Sequence, residues 1–129
     1  MNARRTRILL LESDEQTLID MQQYLEDAGF DTTITWDPGE AMQLARSWQF
    51  DLLLVGDHPP EIVAGEILRE LQSRRIPVSC VILQRRPGTF DAEYFYSLGA
   101  SGVIQGTKYS EVERWLREHL SLRAAAAGA

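Results

Sequence analysis

The sequence contains few of the residues that build disulfides or transition-metal centres. It has one cysteine, Cys80, and two histidines, His58 and His119. A single cysteine cannot form an internal disulfide, and these three residues lack the spacing of transition-metal ligands. No apolar run approaches the roughly 20 residues that cross a bilayer. A lone cysteine in an apolar segment is typical of a reducing compartment, so we expect a cytoplasmic protein that makes no membrane contact.

Positive charge is also scarce. The 129 residues include 13 Lys and Arg against 19 Asp and Glu, for a net charge of −6, and Lys108 is the only lysine. Nucleic acids and anionic membranes select for basic surfaces, so this balance argues against either as a general partner. The start, MNARRTRILLLESDE, is basic and then apolar. Its apolar run is only ILLL and no small-residue cleavage site follows, so we do not assign a signal peptide.

The common motifs of nucleotide-binding and hydrolytic enzymes are absent. The sequence has no GxGxxG, no GxxxxGK[ST] and no GxSxG, which removes the central feature of dinucleotide, P-loop and hydrolase sites. We therefore predict that the chain is not an enzyme. One feature supports an alternative, a small-molecule binder, because the basic turn at residues 85–88 could bind an anion.

Short apolar segments alternate with segments of helical spacing. The apolar segments lie at residues 8–11, 32–36, 52–55, 78–83 and 101–105, and they predict five strands. Glycines at 29 and 99 follow the first and fourth helical segments as natural stops. The helical stripes are Leu18, Met21, Leu25 and Ala28; Ala41, Leu44, Ala45 and Trp48; Ile67, Leu68 and Leu71; Phe90, Tyr94, Phe95 and Leu98; and Val112, Trp115, Leu116 and Leu120.

This order predicts an α/β fold with a single doubly wound, five-stranded parallel sheet flanked by five helices. Strands that are continuously apolar are buried on both faces, as in a parallel sheet covered by helices. We assign residues 1–121 to this domain and residues 122–129 to an alanine-rich tail or linker, which extends the last helix, frays or begins a linker. In such sheets function gathers at the carboxyl ends of the strands.

Polar residues at the strand ends have more than one interpretation. Ser13 with Gln16 fits a capping box at a helix start, whereas the acids of the segment ESDE after the first strand could hold a divalent cation. Asp57, after the third strand, could be a nucleophilic carboxylate, a cation ligand or a turn residue. Lys108 follows the fifth strand and could neutralise a phosphorylated group.

With its elements in this order, residues 6–121 resemble the receiver domain of bacterial two-component response regulators, whose fold is the flavodoxin-like (βα)5 arrangement. ILLLESDE resembles the first strand and acidic cluster of that family, LEDAGF the end of its first helix, and FDLLLV its third strand. GEILREL resembles the third helix, IPVSCVIL the fourth strand and LGASGVI the entry to the fifth.

In that family an aspartate at the tip of the third strand accepts a phosphoryl group, beside Mg²⁺ held by two acids. The resemblance carries the acid pair onto Glu12 and Ser13, where Asp14 could partly substitute, and the acceptor onto Gly56. The hydroxyl position falls on Ile82, the lysine position on Gly106 and the aromatic switch position on Val103.

The resemblance therefore implies a degenerate, or pseudo-, receiver. Glycine offers no nucleophile, and with Ser13 and Gly56 in place of carboxylates we expect no metal and no cofactor at this edge. In a register shifted by one residue, Asp57 is the acceptor, Glu12 and Asp14 hold Mg²⁺, and Lys108 approaches the phosphoryl group. That alternative predicts a phosphorelay switch.

For the pseudo-receiver we predict a protein partner or a homodimer, bound through the surface that the family uses, which is the fourth helix, fifth strand and fifth helix. Tyr96 points away from the apolar stripe of its helix, and Trp115 lies at the edge of its own stripe. Exposed tyrosine and tryptophan favour interfaces, so these two residues are the candidates for that surface.

Overall fold

The computed structural model describes residues 5–47, 49–84, 92–106 and 108–128, with side chains as far as Leu120. Five strands and five helices alternate along the chain, as the sequence predicts. The strands are β1 (Arg7–Leu11), β2 (Asp31–Thr35), β3 (Leu52–Gly56), β4 (Ser79–Gln84) and β5 (Gly102–Gln105). The helices are α1 (Glu15–Asp27), α2 (Pro38–Ser47), α3 (Ala64–Ser73), α4 (Ala92–Ser97) and α5 (Tyr109–Gly128).

All five strands are parallel and form one sheet in the order β2-β1-β3-β4-β5. The order reverses at β1, so the ends of β1 and β3 are neighbours although α1, β2 and α2 lie between them in the chain. The register pairs Leu11 with Val55 and Gly56 with Leu83. This geometry brings the residues after β1, β3 and β4 to one edge of the sheet.

Each face of the sheet carries its own apolar core. Leu9, Leu11 and Val55 face α2, α3 and α4, while Ile8 and Leu10 face α1 and α5. The central strand β3 is apolar and buried throughout because both of its faces are covered, whereas the edge strand β2 is mostly polar. The helices bury the stripes that their spacing predicts, including Leu18, Met21 and Leu25 on α1.

Glycine ends two helices, as predicted. Gly29 after α1 and Gly99 after α4 have φ angles of 101° and 100°, in the left-handed region that favours glycine. At the start of α1, however, the predicted capping box is wrong. Asp14 is the N-cap, and its Oδ2 accepts a hydrogen bond from the Thr17 amide at 2.9 Å. Ser13 lies one residue before this N-cap, and its hydroxyl oxygen is 2.6 Å from His58 Nδ1 on another loop.

Other differences from the sequence-based boundaries are small. β2 ends at Thr35 rather than Trp36, whose side chain is 68% exposed. α5 continues through Gly128, which is the first of the three alternatives for the alanine-rich tail, while the division at residue 121 stays a prediction. Trp48 and Phe90, two members of the predicted stripes, lie outside the described residues. Within the described part of the chain, no helix is both long and apolar enough to span a bilayer.

A polar network ties α1 to α5 on one face of the sheet. The Tyr24 hydroxyl donates a hydrogen bond to Glu113 Oε1 at 2.9 Å, and Arg117 Nε donates to Glu113 Oε2 at the same distance. The hydrogen bonds from Arg117 and Tyr24 hold the pKa of Glu113 below its ordinary value of 4.5. The bond to Glu113 in turn raises the pKa of Tyr24 above 10.0.

This network predicts a pH-dependent contribution to stability. Because the folded-state pKa of Glu113 is lowered, its contribution is present above pH 4.5 and is lost as the pH falls through the folded-state pKa. We expect Glu113→Gln to lower the melting temperature at pH 7, and the difference from wild type to shrink as the pH falls from 4.5 through the folded-state pKa of Glu113. Thermal unfolding across this range measures it. Glu118→Gln on the same helix is the matched control, and an equal, pH-independent loss in both variants would contradict the assignment.

Candidate functional site

Glu12 and Gly56 lie side by side at the carboxyl edge of the sheet. The register that pairs Leu11 with Val55 continues by one residue to pair Glu12 with Gly56. Since side chains alternate between the faces of a strand, both positions are on the face that carries Leu10 and Leu54, the side of α1 and α5. The two positions are therefore lateral neighbours on adjacent strands.

The carboxylate of Glu12 covers Gly56. Glu12 is 2% exposed, and a Cβ atom added to Gly56 would lie 3.1 Å from Glu12 Cδ, with Glu12 Oε1 closer still. The other oxygen, Oε2, accepts a hydrogen bond from the Asp14 amide at 3.1 Å and contacts Ser13 Oγ at 3.5 Å. Space that a side chain at position 56 would need is thus filled by an acid from the neighbouring strand.

Asp57 serves the start of α3. Its Oδ1 accepts a hydrogen bond from the Ala64 amide at 3.0 Å, and its own amide donates to Leu83 O at 3.0 Å. Ala64 is the first residue of α3, where unpaired amides and the helix dipole favour a carboxylate. Alternation puts Asp57 on the opposite face of the strand from Gly56, which fits this bond.

A hydrogen bond connects the loops that follow β1 and β3. Ser13 Oγ and His58 Nδ1 are 2.6 Å apart, and the same nitrogen is 3.8 Å from Glu61 Oε2. His58 is also fixed through its backbone, which exchanges two hydrogen bonds with Ile62 at 2.9 and 3.0 Å. Serine and acid both approach Nδ1, so this group is not a nucleophilic triad, in which they would contact different ring nitrogens. It links the two loops.

The remaining family positions lie on the last two strands. Ile82 and Val103 are register partners, and Ile82 packs in the core against α2, α3 and α4. Two residues further along, Gln84 and Gln105 are also partners, with Gln105 Nε2 at 3.4 Å from Gln84 Oε1. Toward their carboxyl ends, β4 and β5 therefore carry one apolar pair, Ile82 and Val103, and one pair of amide side chains, Gln84 and Gln105.

Gly106 has a backbone that favours glycine over lysine. Its φ angle of 134° lies in the region that side chains rarely adopt, and the Glu111 carboxylate covers its Cα. Lys108 is exposed, and its carbonyl accepts hydrogen bonds from the first turn of α5. The basic turn at residues 85–88 and Thr107 lie outside the described residues.

Metal ligands are not gathered at this edge in the described part of the chain. No group of three or more His, Cys, Asp and Glu side chains there has an arrangement that could hold a metal ion. Glu12, Asp14 and Asp57, the three candidate ligands, each engage backbone or side-chain donors of their own loops and helices.

Sequence reasoning missed His58 as part of this edge. Ser13 comes two residues after the end of β1, and His58 comes two residues after the end of β3. These strands are neighbours in a doubly wound sheet. The adjacency of β1 and β3 in the predicted sheet could have indicated that Ser13 and His58 lie close together. It does not predict that the serine bonds to the histidine rather than to the helix start, since both choices satisfy the hydroxyl.

The contact between Glu12 and Gly56 predicts an interaction that substitution can measure. We expect Gly56→Ala to destabilise the fold by about 1–3 kcal/mol, because the added methyl displaces a buried carboxylate. Glu12→Asp shortens that side chain, so the double variant should recover about 1 kcal/mol relative to the sum of the single changes. Urea unfolding of the four proteins gives the coupling free energy.

Gly39→Ala is the control for this cycle. A Cβ atom at Gly39, in the first turn of α2, meets nothing nearer than Asp37 Oδ2 at 3.5 Å. Alanine is favoured over glycine in a helix, so this change should not destabilise. Additive costs for Gly56→Ala and Glu12→Asp would mean that the carboxylate does not occupy the space above position 56.

Curated relatives share this chain's sequence pattern at low identity. The response regulator SaeR of Staphylococcus aureus strain USA300 is 26% identical over 98 residues, which cover 75% of this chain and 42% of that protein. SaeR of strain NCTC 8325 gives the same values. The chain spans less than half the length of these relatives. No protein-family model matches it.

Solved structures match the fold over nearly the whole chain. The CheY-like receiver domain protein of Methanospirillum hungatei superposes with a TM-score of 0.82, at 19% identity, over 95% of this chain and 99% of its own. The chemotaxis response regulator CheY4 of Vibrio cholerae gives a TM-score of 0.77 at 17% identity, over 89% and 98%. These matches show that the chain has the CheY-like, flavodoxin-like receiver fold, and its sequence is similar to that of response regulators.

Proposed function

We propose that the chain is a pseudo-receiver in two-component-type signalling, which acts through protein–protein interaction without phosphorylation and is not an enzyme. The observation that carries this proposal is the buried Glu12 carboxylate above Gly56. An acyl phosphate needs a carboxylate nucleophile at the strand tip, and glycine has none. The neighbouring acid fills the space in which such a nucleophile and its phosphoryl group would lie.

The donor set at this edge does not suit Mg²⁺. The ion prefers near-octahedral oxygen ligation by carboxylates and waters. Of the acids here, Glu12 already accepts from the Asp14 amide, Asp14 caps α1 and Asp57 caps α3. These bonds orient the three acids toward different helix starts and loops, and the described residues hold no group of three His, Cys, Asp or Glu that could bind a metal. We therefore propose that this domain works without a metal cofactor.

The residues that detect a phosphoryl group in the receiver family are also replaced here. The family position for the hydroxyl carries buried Ile82, which packs in the core and offers no hydrogen-bond donor. Its register partner is Val103, where the family has the aromatic switch. The lysine position, Gly106, has a backbone conformation that disfavours lysine. These features support a receiver that keeps its scaffold in one state.

We propose α4, β5 and α5 as the partner surface, with Tyr96 as its exposed anchor. The Tyr96 side chain is 50% exposed on α4. Beside it, β5 is an edge strand of the sheet, and a cavity of about 230 Å³ lies between β5 and α5, lined in part by Gln105, Glu111 and Arg114. An exposed aromatic next to an indented, polar-rimmed surface is typical of an interface centre.

Trp115 contributes to this surface in a different way. Its ring lies over the Cα of Gly102 and stacks on His119, with the ring centroids 3.8 Å apart. The indole is therefore half-buried and covers the start of β5. We propose that it forms a fixed wall of the cavity, while Tyr96 supplies the exposed contact; a second copy of the chain or another protein would bind there.

The phosphorelay switch with Asp57 as acceptor is the alternative, and its test is direct. We expect incubation with acetyl phosphate and Mg²⁺ to leave the intact mass of the protein unchanged. The Asp57 carboxylate is directed to the Ala64 amide at the start of α3, and no metal-binding group of three His, Cys, Asp or Glu lies within the described residues. Sedimentation of the same samples should also be unchanged.

Two control samples accompany this experiment. The receiver domain of a response regulator with a full set of phosphorylation residues, treated in parallel, shows that the reagent is active. An added phosphoryl mass in this protein that disappears in Asp57→Asn would establish the switch and contradict the pseudo-receiver.

A further inference from the structure

β2 is an edge strand, and two of its residues, Thr32 and Ile34, direct their backbone amide and carbonyl groups outward. Side chains of α1 bond to these groups at Thr32, whereas those of Ile34 are accessible for pairing. In a parallel strand the amide and carbonyl of alternate residues point to opposite sides. Asp31 and Thr35 bond inward to the β1 segment, so Thr32 and Ile34 face outward. Both outward groups of Thr32 are capped by α1, since its amide donates to Glu26 Oε2 at 2.7 Å and its carbonyl accepts from Gln22 Nε2 at 3.0 Å.

Ile19 lies on the same flank of α1 as these two capping residues. It precedes Gln22 by three residues and Glu26 by seven, which is the spacing of one helix flank. The opposite flank carries Tyr24, which reaches Glu113 on α5. The β2 flank of α1 thus presents two polar caps and then an isoleucine that is 49% exposed.

The geometry of the β–α–β unit places Ile19 beside Ile34, the second outward-facing residue of β2. α1 runs antiparallel to β2, so moving from Gln22 back to Ile19, about 4.5 Å, moves toward the carboxyl end of the strand. Two residues of strand cover about 6.6 Å, from Thr32 to Ile34. Ile34 is on the α1 side of the sheet by alternation and packs against that core, and Trp36 directly follows the last residue of β2.

Trp36 ends an apolar strip that consists of Ile19, Ile34 and Trp36, and hydrogen bonds fix the backbone beside it. The Asp37 amide donates to Thr35 Oγ1 at 3.1 Å, and Asp37 Oδ2 accepts from the Glu40 amide at 3.1 Å, which fixes the backbone on the side toward α2. Ile19 and Trp36 are two of the three large apolar side chains that are exposed among the described residues. The third, Tyr96, belongs to the surface proposed above.

Charge around the strip is negative and uncompensated. Glu15, one turn before Ile19, and Asp37 and Glu40, just after Trp36, make no ion pair with an arginine or lysine in the described ranges. At the other end of β2, Glu26 and Asp31 lie near Arg5 and Arg7, at 4.0 and 3.8 Å. A second copy of this acidic chain would bring like charges together, whereas a basic segment would be attracted.

We propose that the β2 edge, with Ile19, Ile34 and Trp36 as its contacts, binds an extended basic segment of a partner protein as an added strand. The Ile34 amide and carbonyl pair with the backbone of that segment, and its apolar side chains rest on Ile19 and Trp36. Added strands of this kind gain affinity from main-chain hydrogen bonds and specificity from alternate side chains. This inference does not depend on the proposed function.

A short peptide of alternating lysine and valine is the probe, titrated into ¹⁵N-labelled protein. We expect saturable shifts at the amides of Thr33 to Trp36 and at the Trp36 indole. Trp36→Ala should weaken binding about tenfold, as loss of a central aromatic contact does. Ile34→Pro removes the outward amide while leaving the inward bonds of β2, and it should abolish the shifts.

The controls separate this surface from the alternatives. Tyr96→Ala should bind the peptide as wild type does, and a glutamate–valine peptide should not bind. No saturable shift, equal binding of both peptides, or binding that Trp36→Ala leaves intact would overturn the proposal; Trp36 is exposed, so that variant is expected to fold. Concentration-dependent shifts at β2 without peptide, lost in Trp36→Ala, would assign the edge to a second copy instead.

Discussion

Helices cover both faces of the parallel sheet, and this constraint decides what each residue at a strand end can do. A side chain there points toward α1 and α5 or toward α2, α3 and α4, and a shift of one residue exchanges the two. Glu12 and Gly56 share the first direction, so the acid extends over the glycine. Asp57, one residue later, takes the second direction and caps α3. An acid next to the strand tip is therefore not equivalent to an acid at the tip.

The sequence was sufficient for the fold because its signals are local and redundant. Continuous apolar strands, helical stripes and the glycines at 29 and 99 all indicate the same alternation, and the structure follows it. It was not sufficient for the N-cap of α1. Ser13 and Asp14 can both cap a helix; the structure uses Asp14, while Ser13 Oγ lies 2.6 Å from Nδ1 of His58, which is 45 residues away. Likewise, the position of Gly56 follows from spacing, but the burial of Glu12 above it depends on the strand register.

The two edges of the sheet differ in how they are protected. On β2, the α1 side chains Gln22 and Glu26 occupy the outward groups of Thr32, which prevents strand addition at that point. On β5, the Trp115 ring covers Gly102 from the neighbouring helix. Each edge nevertheless leaves one exposed aromatic residue beside it, Trp36 or Tyr96. The Ser13–His58 contact links the loops that follow β1 and β3 at the carboxyl ends of these strands.

The Glu12 carboxylate lies over Gly56 at the strand tip, and we propose that its position excludes a cation. Titration of Mg²⁺ into ¹⁵N-labelled protein, followed at the amides of Glu12, Gly56 and Asp57, decides whether the ion binds there. We expect only small, linear shifts at these amides, without saturation, well beyond millimolar Mg²⁺. Saturable shifts centred on Glu12 and Asp57 would show instead that these acids hold the ion.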